Sequence, residues 1–363
     1  MPLQVSRFGA LQPRRVALFR ALKLGELLVA VPALRAIRAA LPSAKIALIG
    51  LPWASEFAER FNHLVDGFRE FPGWPGLPER EPQMDRIPAF LAAMQAEQFD
   101  LAIQMHGSGS FVNVLCALFG AKHTAGFYAS DHDRLDPEWF MPWPYQGLEL
   151  RRLLALTEFL GYPPQSEHLE FPLRSADFEA ADRIRQGIAD YVCIHAGASV
   201  PERRWPLERF TRVAATLARW GLNVVLTGCG GERKLAEEIA NRVGASAIPV
   251  AGQTDLGALG ALIAGARLLV CNDTGVSHMA AALRTPSIVI STGTNPERWA
   301  PTDSALHRVL CRPGGWPDVA DVVAHAKEIL TTFVHDDRSY SGCVKVGAAE
   351  ASSPRREVQA GSV

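Results

Sequence analysis

The stretch Arg267 to Thr292, RLLVCNDTGVSHMAAALRTPSIVIST, carries the strongest signal of fold class in this chain. It divides into an apolar strand, a turn, an Ala-rich helix and a second strand, at residues 268–271, 272–275, 276–283 and 287–290. Such a unit indicates a parallel sheet, and its turn lies at the carboxyl edge, where open α/β sheets bind ligands. Because the first helical turn presents unpaired N–H groups and partial positive charge, the stretch predicts a diphosphate site.

The turn in this stretch carries the side chains of the predicted site. The hydroxyl of Thr274 is predicted to cap the helix, and Gly275 lets the backbone approach a ligand closely. Ser277 and His278 follow in the first helical turn, so they and Asp273 are predicted to converge on one small volume. Asp-Thr-Gly also occurs as an ordinary turn and cap, and this stretch alone leaves both interpretations open.

Strands alternate with helices through the rest of the chain, which is typical of doubly wound parallel sheets in the α/β class. In the first half, strands are predicted at 16–19, 45–49 and 100–105, and helices at 26–41, 54–61, 86–98 and 111–119. In the second half, strands are predicted at 192–195, 224–226 and 247–250, and helices at 207–220, 232–243 and 256–264. The alternation therefore predicts two Rossmann-like domains.

The length of the chain also favours two domains, because 363 residues exceed what one core usually holds. Residues 161–174, with three prolines and mixed charge, are predicted to link them. We predict an N-terminal domain at 1–165 and a C-terminal domain at 175–335. Residues 336–363 are rich in Ser, Gly, Ala and charge, and are predicted to form a disordered tail.

Composition excludes several classes of protein. The formal charge of −1 gives no reason to expect a nucleic-acid partner. Six cysteines without a C-x-x-C pair indicate reduced, mostly buried thiols of a cytosolic protein. Near the start, Arg20, Lys23 and Glu26 interrupt an apolar run that would otherwise resemble a signal or a membrane span. We therefore expect the protein in the cytoplasm.

Three loops after predicted strands are candidate ligand contacts. Residues 20–25 contain Arg20 and Lys23 and precede Glu26, which stands at a predicted helix start, where an acid can also merely complement the macrodipole. The loop after His195 ends in Arg203-Arg204-Trp205-Pro206. The guanidiniums of the two arginines either bind a phosphate group or form a solvated charge pair at a helix entry. His106 follows a third predicted strand, and the sequence leaves open whether it is a plain loop residue or a ligand contact.

Two Pro- and aromatic-rich stretches, 71–88 and 137–145, are predicted to be surface loops without regular structure. Their aromatic residues either stack on sugar rings, meet a membrane surface or close over the core. Asp131-His132-Asp133 resembles a D-x-D metal site, but it stands in a polar loop and not after an apolar strand. We therefore predict no metal site.

The NDTGVSHMAAAL segment at 272–283 resembles the D-T-G-x-x-H-x-x-A-A signature of the ADP-heptose glycosyltransferases of family nine, which transfer heptose to lipopolysaccharide core. Residues 15–38 and 195–206 agree with two further motifs of that family in order and spacing, and the resemblance spans about residues 14–335. It implies the GT-B architecture, in which two doubly wound domains face each other across a cleft.

The resemblance also implies roles for single residues. Gly25-Glu26 stands where the family has Gly-Asp, so Glu26 is the expected catalytic base, and Val29 replaces a histidine on the acceptor side. Donor binding is implied for Arg203, Asp273, Thr274, Gly275, Ser277, His278 and, at the ribose, Glu232. Lys23 and His106 are assigned to the acceptor.

The implied function is an inverting, metal-independent glycosyltransferase without a cofactor. Its partners would be a nucleotide-diphosphate sugar, expected to be ADP-heptose, and a lipopolysaccharide core-type or other glycan acceptor. Such an acceptor would allow peripheral contact with the inner face of the inner membrane. Two alternatives stay open, namely a sugar-nucleotide epimerase of the same architecture and a nucleotide-sugar-binding protein without transfer activity.

Overall fold

The fold is taken from a computed structural model, which describes residues 12–292, 295–312 and 314–333. The tail predicted at 336–363 lies outside the described residues. Two six-stranded sheets, both parallel throughout, form the two halves of the described chain. The prediction of doubly wound parallel sheets is confirmed.

The first sheet has the strand order β3-β2-β1-β4-β5-β6. Its strands are Arg15–Phe19 (β1), Lys45–Gly50 (β2), Gly67–Glu70 (β3), Leu101–Gln104 (β4), His123–Tyr128 (β5) and Phe140–Pro142 (β6). The accompanying helices are Leu24–Leu28 (α1), Val31–Ala40 (α2), Ala54–Arg60 (α3), Ile87–Ala96 (α4), Phe111–Ala117 (α5) and Glu149–Phe159 (α6). We call residues 12–160 the N-terminal lobe.

The second sheet has the order β12-β11-β10-β7-β8-β9. Its strands are Tyr191–His195 (β7), Asn223–Leu226 (β8), Ala247–Pro249 (β9), Leu269–Asn272 (β10), Ser287–Ile290 (β11) and His307–Leu310 (β12). Its helices are Ser175–Arg185 (α7), Leu207–Arg219 (α8), Arg233–Val243 (α9), Leu256–Gly265 (α10), Gly275–Leu283 (α11), Pro296–Trp299 (α12) and Val319–Thr332 (α13). We call residues 175–333 the C-terminal lobe; the domain boundaries themselves stay a prediction.

The central strands are buried along their length because helices cover both faces of each sheet. Residues 16–19 of β1 are at most 1% exposed, and every residue of β10 is buried. The chain reverses its direction of sheet growth between β1 and β4, and again between β7 and β10. Ligands bind beyond the carboxyl ends of strands at such switch points. The fold thus predisposes two opposite loop clusters to bind ligands, one in each lobe.

The predicted helix at 26–41 is wrong in one respect, because the structure divides it into α1 and α2. Pro32 has no N–H to donate to the carbonyl of Leu28, so a continuous helix loses a hydrogen bond there. The chain turns at Val29 and Ala30, and Pro32 then occupies the first turn of α2, where its missing N–H costs nothing. The helix that carries Glu26 thus begins two residues earlier than predicted and is only five residues long, and Glu26 lies in its first turn.

The prediction that residues 137–145 hold no regular structure is also wrong. Residues 140–142 form β6, which pairs in parallel with β5 at the edge of the sheet, a position that tolerates Pro142. The sequence analysis did not predict the following elements: β3, β5, α6, α7, β12, α12 and α13. The strands among them are only four to six residues long, so their sequence signal is weak, and they gain their stability from packing against neighbouring elements.

Candidate active site

The side-chain amide of Asn272 organises the C-terminal lobe's loop cluster. Its Nδ2 donates to the carbonyls of Ala196, at 2.8 Å, and Gly197, at 3.2 Å, and its Oδ1 accepts the Trp205 N–H at 2.9 Å. Asn272 ends β10 and is fully buried. One amide therefore ties both ends of the loop at 196–204 to the strand that precedes α11. The sequence analysis missed this role; its only signal was an asparagine before Asp-Thr-Gly.

The loop that Asn272 holds presents the predicted phosphate-binding arginine to solvent. Trp205 anchors the end of the loop, because its ring is buried and its Nε1 donates to the Pro317 carbonyl at 3.1 Å. Arg204 is committed to the loop itself through a 2.8 Å bond from its Nε to the Ala198 carbonyl. Arg203 ends a 3₁₀ turn, is exposed, and has no side-chain partner among the described residues. Its guanidinium is free for a ligand.

Thr274 occupies the N-cap position of α11, but the prediction that its hydroxyl caps the helix is wrong. Its main-chain carbonyl instead accepts both the N–H of Ser277, at 3.0 Å, and the Ser277 hydroxyl, at 2.7 Å. Thr274 Oγ1 is buried and has no hydrogen-bond partner within the described part of the chain. Because buried polar atoms are nearly always paired, this orphaned hydroxyl points to a ligand group beside the helix N-terminus.

The two lobes touch where α1 meets α11. A Cβ on Gly275 would lie 3.1 Å from the backbone nitrogen of Gly25, and a Cβ on Gly25 would lie 2.8 Å from Cδ2 of His278. Only residues without side chains allow the two helices to approach this closely. The contact brings Glu26 of the N-terminal lobe to the edge that carries Asp273 and His278.

The carboxylates of Asp273 and Glu26 both affect the pKa of His278. Burial lowers the pKa of His278, while the charges of Asp273 and Glu26 act to raise it. The net direction is downward, so the imidazole is neutral at pH 7. The carboxylates of Asp273 and Glu26 thus both act on His278, whereas the hydroxyl of Ser277, which was predicted to converge with Asp273 and His278, donates to the Thr274 carbonyl.

A cavity of about 350 Å³ opens beside this contact, between the lobes. His278, Arg298 and Trp299 line it from the C-terminal lobe, and Val29 and Leu148 from the N-terminal lobe. Val29, which stands in place of the family's expected histidine, therefore faces open space next to Glu26. A sugar-sized ligand has room here.

Glu26 itself is half-buried, and its carboxylate has no hydrogen bond or ion pair with any described residue. Its main-chain carbonyl accepts a 2.8 Å hydrogen bond from Nε of Arg20, which is 1% exposed. Lys23 is exposed at the N-cap of α1. The carboxylate is therefore held in place through its backbone and is free to act on a ligand.

His106 is a buried part of the N-terminal lobe, so the structure favours the plain interpretation of this residue. Its Nδ1 accepts the Ala21 N–H at 3.1 Å, which makes Nε2 the protonated nitrogen; Nε2 lies 3.2 Å from Oε1 of Glu79. Both ring nitrogens are thus occupied, and the lone pair on Nδ1 is engaged by the Ala21 N–H and is not free to take a proton from a ligand. His106 instead fixes the loop that leads to α1.

Glu232 lies on the donor edge of the C-terminal lobe, where the resemblance expects a ribose contact. Its Oε2 accepts the Cys229 N–H at 2.8 Å and lies 3.8 Å from Nε2 of His195. A Cβ on Gly197 would lie 1.9 Å from its Oε1, so the carboxylate rests directly on the loop at 196–204. The ribose role stays a prediction.

The remaining candidates divide between the core and the surface. Trp139 and Phe140 are buried, and Trp143 packs edge-on against Phe127, so these aromatic residues mainly close over the core. Asp133 accepts hydrogen bonds from the hydroxyls of Ser110 and Ser130 within a short 3₁₀ turn. Among the described residues, no three potential metal ligands converge, and no helix is both long and apolar enough to cross a bilayer.

Comparison with known sequences assigns the chain to a family. Residues 87–319 match the profile of glycosyltransferase family 9 (heptosyltransferase). The chain belongs to glycosyltransferase family 9. Lipopolysaccharide heptosyltransferase 1 of Escherichia coli K12 is 24% identical to it over 316 residues, 78% of this chain and 89% of that protein. The family resemblance and the prediction of a glycosyltransferase are both confirmed.

Solved structures show the same fold. A family 9 glycosyl transferase from Veillonella parvula superposes with a TM-score of 0.75 at 20% identity, covering 88% of this chain and 98% of that chain. Escherichia coli heptosyltransferase WaaC with ADP superposes with a TM-score of 0.66 at 20% identity, covering 87% and 99%. This glycosyltransferase therefore has the predicted GT-B architecture. The profile match begins after Glu26 and Lys23, whose roles stay predictions.

Replacing Asn272 with Ala tests the organisation of the loop. Asn272→Ala leaves the Trp205 N–H and the Ala196 carbonyl buried without their partner, so the free energy of unfolding should fall by about 1–3 kcal/mol. ADP affinity should fall with it, since the loop at 196–204 loses its anchor. Urea denaturation and calorimetric titration measure the two effects, and an unchanged stability would show that the loop holds its shape without the amide.

Replacing Arg203 with Ala tests the donor site. Removal of a charged hydrogen bond to diphosphate should weaken ADP binding by about 1.5–3 kcal/mol, measured by calorimetric titration. Arg212→Ala is the matched control, because Arg212 is an exposed arginine further along the same lobe, on α8. Equal ADP affinity in both variants would remove Arg203 from the site.

Proposed function

We propose that this glycosyltransferase is an inverting, metal-independent enzyme that transfers a sugar, expected to be heptose from ADP-heptose, to a lipopolysaccharide core-type acceptor. The observation that carries the proposal is the carboxylate of Glu26, which has no partner among residues that the structure describes and is brought beside Asp273 and His278 by the contact of Gly25 with Gly275. A base on one lobe thus faces a helix N-terminus on the other, with a cavity beside them.

The donor diphosphate is proposed to lie at the N-terminus of α11. Free N–H groups and the helix dipole favour an anion there, the orphaned hydroxyl of Thr274 can donate to it, and Arg203 is unpaired on the adjacent loop. Glu232 is proposed to accept from the ribose hydroxyls. The likeness in fold to WaaC, a heptosyltransferase whose structure holds ADP, supports a nucleotide as part of the ligand.

Transfer is proposed to proceed by direct displacement. The acceptor hydroxyl attacks the sugar carbon, its proton passes to Glu26, and the sugar–oxygen bond to the diphosphate breaks on the opposite face, which inverts the configuration. The N–H groups of α11 and Arg203 stabilise the negative charge that develops on the leaving diphosphate. Lys23, exposed at the mouth of the site, is proposed to contact the acceptor.

Family membership favours transfer over the epimerase alternative. An epimerase alters the donor alone, so incubation of the enzyme with ADP-heptose and no acceptor should leave the sugar's stereochemistry unchanged. We propose that the reaction takes place in the cytoplasm; an acceptor of this type would allow peripheral contact with the inner face of the inner membrane. A donor epimer formed without acceptor would overturn the proposal.

Replacing Glu26 with Gln tests the base. The amide keeps the shape of the side chain but cannot accept the proton, so kcat should fall by about 10²–10⁴-fold, while ADP affinity changes little because the carboxylate acts only in the transition state. Steady-state kinetics with acceptor, together with ADP titration, separate the two effects. Glu26→Asp restores the family's residue with a shorter arm and should retain partial activity.

The matched control is Glu158→Gln, since Glu158 is an exposed carboxylate of the same lobe, on α6. It should transfer at the wild-type rate. Near-wild-type turnover by Glu26→Gln would reduce Glu26 to a structural acid and leave the base to be sought elsewhere on the N-terminal lobe. His106 is a poor substitute, because both of its nitrogens are occupied.

Metal independence is tested separately. Fixed N–H groups and Arg203 can replace a divalent ion at a leaving diphosphate, so transfer should survive EDTA, and Asp131→Ala should leave the rate unchanged. The assay is initial-rate transfer with and without chelator. Loss of activity in EDTA with recovery on added Mn²⁺ would show that a metal serves the reaction after all.

A further inference from the structure

A buried carboxylate in the N-terminal lobe binds arginines from both lobes. Glu149 is 2% exposed; its Oε1 lies 3.4 Å from Nη2 of Arg20, and its Oε2 lies 3.4 Å from Nη1 of Arg152 and 3.0 Å from Nε of Arg298. Burial acts to raise the pKa of Glu149, but the three guanidiniums lower it below its usual range, so the group is charged at neutral pH. Of the three arginines, Arg298 alone comes from the C-terminal lobe.

Arg20 connects this cluster to the proposed base. Its guanidinium is almost completely buried and donates to the carbonyls of Glu26 and Met105 as well as to Glu149. The hydrogen bond to the Glu26 carbonyl holds α1, which is only five residues long and has no side-chain cap. The position of the Glu26 carboxylate therefore depends on where Arg20 is held.

Arg298 connects the same cluster to the donor lobe. It lies on the short helix α12, its guanidinium stands 4.8 Å from the ring of Trp299, and Trp299 packs edge-on against His278 at 6.2 Å. The Arg298 guanidinium also stands 5.8 Å from the ring of Trp143 in the other lobe. An unbroken series of contacts thus runs from the N-terminal part of α11 through Arg298, Glu149 and Arg20 to Glu26.

We propose that Arg298, Glu149 and Arg20 form a positioning relay that aligns the Glu26 helix when the two lobes come together. The contact between Arg298 and Glu149 exists only while the lobes are in contact, whereas Arg20 and Glu149 stay together within one lobe. Arg298 binds Oε2 of Glu149, restrains that carboxylate and so restrains Arg20 and, through it, Glu26. The relay rests on the proposed role of Glu26 as the base.

The relay predicts a separation between catalysis and donor binding. Arg298→Gln should lower kcat by a factor in the range of about 5–150, typical of coupling between distant sites, and leave the ADP dissociation constant within about twofold of wild type. Arg298→Lys keeps the charge and loses the forked geometry, so it should recover part of the rate. In the presence of ADP, hydrogen exchange at residues 24–28 should be faster in Arg298→Gln than in wild type.

Arg308→Gln is a matched control. Arg308 has the same side-chain exposure as Arg298 to within 1%, 33% against 34%, and pairs with Glu328 at 3.1 Å within the same lobe. It should change neither kcat nor the exchange of residues 24–28. A double-mutant cycle adds Glu149→Gln: once Glu149 is neutral, Arg298→Gln should cost little further rate, because both changes break one pathway.

Two results would overturn the relay. A parallel loss of ADP affinity and kcat in Arg298→Gln would make Arg298 a direct donor contact, and unchanged exchange at residues 24–28 would show that α1 does not respond to it. Should Glu149→Gln fail to fold, the comparison of Arg298→Gln with Arg298→Lys and the exchange measurement still decide. The exchange measurement also separates the relay from the assignment of Glu26 as the base. If Glu26→Gln is fully active, the base assignment fails. Faster exchange of α1 in Arg298→Gln would still show that Arg298 restrains this helix.

Discussion

The close approach of Gly25 to Gly275 is the contact on which the candidate site depends. Neither position has room for a Cβ without displacing the opposite helix or the ring of His278. Two backbones in direct contact place a helix N-terminus of one lobe against the helix that carries Glu26 in the other. The chemistry proposed for this enzyme needs a base and a leaving-group site within one sugar's width, and this contact supplies that spacing.

Each side of this contact is held by a polar group buried inside its own lobe. Asn272 ties the loop at 196–204 to β10, and Arg20 ties α1 to the ends of β1 and β4. Burying such groups is costly unless their hydrogen bonds are complete, and in both cases the backbone supplies most of the partners. Rigid support on both sides then leaves three groups at the centre without a partner in the described part of the chain, namely the hydroxyl of Thr274, the guanidinium of Arg203 and the carboxylate of Glu26.

The charged groups of the cleft also divide into those that are paired within the protein and those that are available to a ligand. Arg20, Arg152 and Arg298 share the carboxylate of Glu149, whereas Arg203 has no carboxylate partner among the described residues. The proposed donor diphosphate would bring negative charge to the C-terminal lobe, and the neutral imidazole of His278 adds no positive charge there. The formal charge of −1 for the whole chain gives no sign of this local arrangement, because it averages over groups that the fold separates.

Much of the fold was accessible from sequence because its pattern is local. Apolar runs of strand length, Pro and Gly at element ends, and the alternation of strands with helices predict two doubly wound sheets, and the NDTGVSHMAAAL segment places the C-terminal half of the site at a strand end. The edge strand at 140–142 and the break at Pro32 were misjudged, because proline disfavours regular structure in isolation but is accepted at a sheet edge and in a first helical turn.

The tertiary structure alone decided which polar groups are occupied and which are free. Residue type could not show that the Thr274 hydroxyl leaves the capping role to its own carbonyl, that His106 uses both nitrogens, or that Asn272 anchors a loop seventy residues earlier. Nor could it place Arg298 on Glu149, since the partners are separated by 149 residues. By itself, the sequence determined the alternation of strands with helices, and so the fold class, and the family, because these depend on local periodicity and short motifs. Hydrogen-bond partners depend on distances across the folded chain, which only the packing of the two lobes establishes.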